Sequence, residues 1–77
     1  MHPLQFRMAR AAVGATVREI AAAVGCSPAT IVRFEAGADS RRSTVEGLRA
    51  FMTARGVRFV EEPDGLVGVM MRPDMVE

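Results

Sequence analysis

Three residues, Gly25, Cys26 and Ser27, are all that separate the end of one amphipathic segment from the proline that opens the next. Val17, Ile20, Ala21 and Val24 recur at the i, i+3, i+4, i+7 spacing of one helical face, and Thr16 with Glu19 supplies a capping box at its start. In the following segment Ser27 is the cap, Pro28 takes the first helical position, where no intrahelical N–H bond is lost, and Ile31 and Phe34 face inward. A reversal this short needs positive φ, which Gly25 adopts without a Cβ penalty. Two short helices must therefore cross sharply. Ala21 is small where the second helix approaches the first, and Ile20, Val24, Ile31 and Phe34 fill the space beneath.

This is a helix-turn-helix pattern, and the flanking residues enclose it. Pro3 opens an earlier helix whose face carries Phe6, Ala9, Arg10 and Val13, apolar apart from Arg10, and Gly14 ends it; His2 falls in a terminus expected to fray. A later helix is expected from Thr44, with Val45, Leu48, Phe51 and Met52 inward and Gly56 at its close. Beyond Gly56, VRFVE and LVGVMMR read as two strands joined by a Pro-Asp-Gly turn. The expected class is mainly α: four to five helices followed by a C-terminal β-hairpin. The division is a helical domain at 1–56, a hairpin at 57–73 and a mobile acidic tail at 74–77 that discourages edge-to-edge growth. A lone hairpin is marginal, and residues 66–71 are apolar on both faces, so this one needs cover. The cover is either the fourth helix of the same chain or, in the preferred reading, a second copy as well. The dimer interface then comprises Phe51, Met52, Val57, Phe59, Val67, Val69 and Met71.

Composition narrows the function classes. With 77 residues the chain is one domain with a thin core. Cys26 is the single cysteine and His2 the single histidine, so an internal disulfide and a cysteine zinc site are excluded, and neither residue has a plausible catalytic companion. There is no glycine-rich phosphate loop, and Glu61 and Glu62 fall on opposite strand faces or in a turn; no enzyme, metal or cofactor is expected. The longest uncharged run, Ile20 to Val32, has 13 residues and is too short for a bilayer, and the N-terminus has no secretory pattern, so a cytoplasmic, nucleoid-associated protein is expected. Charge is uneven. Residues 1–60 carry nine arginines against Glu19, Glu35, Asp39 and Glu46, a net of +5, whereas residues 61–77 carry Arg72 against five acids, a net of −4. A basic body suits phosphates, or serves solubility alone.

The stretches MAR, TVREIAAAVGCSPATIVRFEAG and STVEGLRAF, between Phe6 and Phe51, resemble the Cro/C1-type helix-turn-helix regulators of the XRE family. Arg10, Glu19, Ile20, Ala21, Gly25, Ser27, Ile31, Glu35 and Gly37 all agree with that family's pattern. Val17 departs from it, standing where members usually carry a phosphate-touching glutamine. The resemblance implies a lambda-repressor-like fold. It also implies that Arg10 pairs with Glu35 in a partly buried bridge and shows a guanidinium edge to phosphate.

Helical geometry assigns the remaining site residues. With Ile31 and Phe34 inward, Ala29, Val32 and Arg33 project outward beside Pro28, a face suited to the major groove of double-stranded DNA. Arg33 matches guanine O6 and N7, and Pro28, Ala29 and Val32 match thymine methyls; the alternatives are a solvated Arg33 and a packing role for Val32. Thr16, Arg18, Ser27, Thr30, Arg41, Arg42, Ser43 and Thr44 are candidate phosphate contacts, with one of Arg41 and Arg42 reaching a minor groove as the alternative. The functional expectation is a homodimeric repressor reading an inverted repeat. Its rivals are an antitoxin whose acidic hairpin end binds a protein partner, and an adaptor that does not bind DNA.

Overall fold

Small polar caps and prolines set where the helices of this chain begin. In the computed structural model, which describes residues 1–75, α1 spans Pro3–Val13, α2 Val17–Val24, α3 Pro28–Glu35 and α4 Arg42–Ala54. β1 (Val57–Glu61), β2 (Val67–Met71) and a 3-10 turn at Pro73–Met75 follow. Four helices and a two-stranded antiparallel hairpin thus make up the fold. His2 does not fray. Its Nδ1 accepts from Leu4 N at 3.0 Å, and its own N–H donates to Gln5 Oε1 at 2.8 Å, a reciprocal cap that ties down the chain start. The fourth helix begins at Arg42, two residues before the expected Thr44, with Arg41 as a cap that makes no side-chain bond. Ser43 and Thr44 therefore lie inside the first turn; Arg41, Arg42 and Ser43 are exposed, so water can serve the first N–H groups and no hydroxyl cap is needed there.

Phe6, Ile20, Ile31, Leu48 and Met52 are fully buried where the four helices meet, and the rings of Phe6 and Phe34 make an edge-to-face contact at 5.7 Å. Met52, at 0 % exposure, Val57, at 4 %, and Phe51, at 8 %, belong to this same core. These three cannot serve a second copy as the sequence led us to expect, because a thin core consumes every large apolar side chain within reach.

The hairpin is held by a polar residue. Gln5 is wholly buried, and its Nε2 donates to the carbonyls of Val60 at 2.9 Å and Gly68 at 3.0 Å, residues that face each other across the ladder. Consequently β2 packs on α1 while β1 packs on α4, instead of the hairpin resting on the fourth helix alone. Asp74 and Met75 are part of the 3-10 turn that follows β2, and Val76 and Glu77 lie outside the described residues.

The contact between α2 and α4 rests on Gly47, where an added Cβ would sit 2.8 Å from Val24 Cγ1. Alanine normally favours a helix over glycine, yet here the clash outweighs propensity because the short, branched Val24 side chain has little room to yield. Gly47→Ala is expected to lower unfolding free energy by about 1–2 kcal/mol, measured from the urea midpoint.

Candidate nucleic-acid interface

The presentation of α3 is decided by the turn before it. Gly25 sits at φ 85°, and both its N–H and that of Cys26 donate to Ala21 O, at 2.8 and 3.0 Å, which closes α2 and turns the chain at once. Cys26 is half-buried against the core. Ser27 Oγ accepts from Thr30 N at 3.2 Å and starts α3. With Ile31 and Phe34 committed to the core, Pro28, Ala29, Val32 and Arg33 are all exposed. Val32 is 56 % exposed, so the packing alternative for it falls. The outward face of α3 is one long cation among short apolar groups.

Around this face the candidate phosphate contacts divide by what already occupies them. Arg18, Arg41 and Arg42 are exposed and have no carboxylate within ion-pair distance among the described residues. Ser43 is exposed and Thr44 half-buried in the first turn of α4. The hydroxyls of Ser27 and Thr30 lie 2.9 Å apart, bonded to each other. Thr16 accepts from Glu19 N at 3.1 Å and donates its own N–H to Glu19 Oε1 at 3.0 Å. That reciprocal cap holds the Glu19 carboxyl below the usual carboxylate range, first through the Thr16 N–H and then through the Thr16 hydroxyl. A carboxylate thus already sits at the positive end of α2, and a DNA phosphate there would meet it.

Arg10 is not a plain surface arginine. Its Nε donates to Glu35 Oε2 at 2.7 Å and its Nη2 to Glu35 Oε1 at 3.2 Å, a two-point clamp from α1 onto the last residue of α3. The Arg10 side chain stays 31 % exposed while that of Glu35 is 13 % exposed, so the guanidinium keeps an edge open to solvent. The clamp fixes the tilt of α3 from its C-terminal end, as the Gly25 turn fixes it from the other.

Not all the positive charge gathers here. Arg55 lies over the Phe51 ring at 3.5 Å and Arg49 over the Phe59 ring at 5.2 Å, so two of the nine arginines of the basic body are committed to aromatic faces. The Arg55 contact is local, one turn along the helix from Phe51, whereas the ring that holds Arg49 comes from β1 and becomes visible only in the packed chain. Among the described residues no group of acids, histidine and cysteine could hold a metal ion, and no helix is long and apolar enough to cross a membrane. A family model described as a helix-turn-helix domain matches residues 4–58, from the first turn of α1 to the second residue of β1. No curated protein matches the chain.

Two outcomes test this geometry. In an NMR titration the Glu19 carboxylate is expected to titrate below the ordinary glutamate range, and Thr16→Ala, which removes the hydroxyl but keeps the backbone N–H, to move it only part of the way back; a wild-type Glu19 titrating in the ordinary range would show the cap to be absent in solution. Because deprotonation of Glu19 strengthens the cap, its contribution to α2 is present at neutral pH and is lost as pH falls through the depressed value. Removing one side of the clamp, as in Arg10→Ala, leaves a mostly buried Glu35 and is expected to cost about 1–3 kcal/mol by urea denaturation, discounted for the partial exposure of Arg10.

Proposed function

From the premise that the chain belongs to the helix-turn-helix domain family of DNA-binding regulators, we propose that it reads a specific operator through α3 in the major groove. The observation that carries this reading is the exposed face of Pro28, Ala29, Val32 and Arg33 on a helix held at both ends. Short side chains let the backbone come close to base edges. Arg33 then reaches a guanine with two parallel hydrogen bonds, and the apolar groups meet thymine methyls. Arg18, Arg41, Arg42, Ser43 and Thr44 take backbone phosphates, joined by the open edge of Arg10, while Thr16, Ser27 and Thr30 serve first as caps. Within the family we assign the chain to the Cro/C1 type on the sequence pattern from Phe6 to Phe51, notwithstanding Val17.

One module with one guanine contact specifies too few base pairs to single out a site in a genome. The reading is therefore of a homodimer on an inverted repeat with half-sites about 34 Å apart, acting as a repressor by occupying a promoter. In this arrangement residues 1–56 bind DNA and the hairpin at 57–73 joins the copies, through Phe59, Val67, Val69 and Met71, which remain only half-buried. The exposed acidic turn of Glu61, Glu62 and Asp64 supports the antitoxin alternative, in which it binds a protein partner; stoichiometric co-purification with such a partner would favour that reading.

The test is footprinting of retained genomic fragments followed by binding to the protected site. Arg33→Ala is expected to weaken operator binding by about 1–3 kcal/mol and to relax the preference at one base pair of each half-site. Arg41→Ala is expected to weaken binding to every sequence alike and to lower the steepness of the salt dependence. Operator binding untouched by Arg33→Ala would remove α3 as the reading helix.

A further inference from the structure

The hairpin leaves one strand edge open and charged. Arg72 N donates to Gly56 O at 3.1 Å and Glu62 N to Leu66 O at 2.8 Å, at the two ends of a ladder that pairs Arg58 with Met70 and Val60 with Gly68. In an antiparallel ladder the hydrogen-bonded pairs alternate, so the backbone groups of Val57, Phe59 and Glu61 between them point away from β2. Among the described residues none of those groups is bonded elsewhere. Arg58 and Glu62 project on the same face of β1, about 13 Å apart along the strand, too far to neutralise each other. Both are exposed and neither has an ion-pair partner among the described residues. Arg49 and Arg72 line the same open depression as Arg58, about 530 Å³ between α4 and the base of the hairpin, with no acid in its wall.

Resting on the homodimeric reading above, we propose that β1 pairs antiparallel with β1 of a second copy about a two-fold axis at Phe59, making a continuous four-stranded sheet. The register follows from symmetry: Phe59 faces its own counterpart, Val57 faces Glu61 and Arg58 faces Val60, so the open backbone groups of each edge meet. Arg58 of one copy then has two diagonal neighbours on the outer face of the other, Glu62 and the second Arg58, so the sheet gains two opposite-charge pairs against one like-charge pair. On the inner face Glu61 becomes the diagonal neighbour of Phe59, over which Arg49 is stacked at 5.2 Å. Each acidic turn thus reaches the arginine-lined depression of the other copy, and every opposite-charge pair occurs twice.

The other edge offers no such code. Pairing β2 with β2 about Val69 would bring together Val67, Gly68, Val69, Met70 and Met71, none of them charged, and would set the flanking Arg72 opposite Leu66, with no acid in the strand to fix a register. The β1 axis is also compatible with a two-fold DNA site: it runs perpendicular to the sheet, so both helical layers fall on one side, and α3 packs on α1 and α2 and not on the hairpin, away from the paired strands.

The test is a charge swap in the full chain, read by sedimentation equilibrium with circular dichroism as the check on folding. Arg58→Glu and Glu62→Arg are each expected to weaken the dimer about ten-fold or more, since each replaces two attractions by two repulsions. The double variant carrying both changes restores complementarity across the two-fold and is expected to return close to the wild-type constant. A wild-type dimer indifferent to both single changes, or a double variant as weak as the singles, overturns the β1 pairing while leaving the dimeric reading intact. A wild-type chain that stays monomeric up to about 100 μM with and without operator DNA overturns both.

Discussion

An eight-residue helix does not persist in water on its own, and α2 and α3 are each eight residues long. Everything that a helix-turn-helix does depends on holding two such helices at one angle, so their stability must come from tertiary burial. Ile20 and Ile31 supply it, one from each helix, against Phe6 of α1 and Leu48 and Met52 of α4. Each of these side chains lies in the same small volume. The core is therefore a single cooperative unit, and α3 is rigid only because α1 and α4 close around it.

Polar groups complete what so small an apolar core leaves open. The Arg10–Glu35 clamp ties α3 to α1 at the edge of the core, and Gln5, three residues after the start of the chain's first capping residue, ties α1 to the hairpin. The two devices lie on one helix. α1 thus links α3 to the sheet, a mechanical connection between the helix proposed to read DNA and the strand proposed to pair. Gln5 works because its amide donates to two carbonyls across the strand pair, which a hydrophobic residue of similar size would leave with one bond fewer each.

Much of this organisation was legible from residue types alone. Caps and glycines marked both ends of α2 and the start of α3 to the residue, since Thr16, Ser27 and Gly25 act through bonds to their near neighbours. Alternation located β1, a short apolar run after the Pro-Asp-Gly turn located β2, and the outward set on α3 followed once Ile31 and Phe34 were placed inside. Less was legible where the partner is distant in sequence. His2 looked like a loose terminus because its role appears only when Gln5 is held in the core, and α4 began earlier than its hydroxyls suggested because an exposed helix start can use water. Met52 and Val57 looked available for another chain because apolar character says nothing about which surface consumes it.

The sequence by itself determined the local events: where the side-chain-capped helices start, the sharp turn at Gly25, the β-hairpin, and the family to which the order of residues points. Those features arise from hydrogen bonds and torsional preferences within a few residues, which any chain with these neighbours shares. Only the tertiary structure decided that Gln5 carries the hairpin, that Arg49 lies against the Phe59 ring, and that Arg58 and Glu62 stand apart on an open edge. Those outcomes depend on which side chains reach the limited core volume first in space, and that competition runs between residues up to sixty positions apart, as for Gln5 and Gly68.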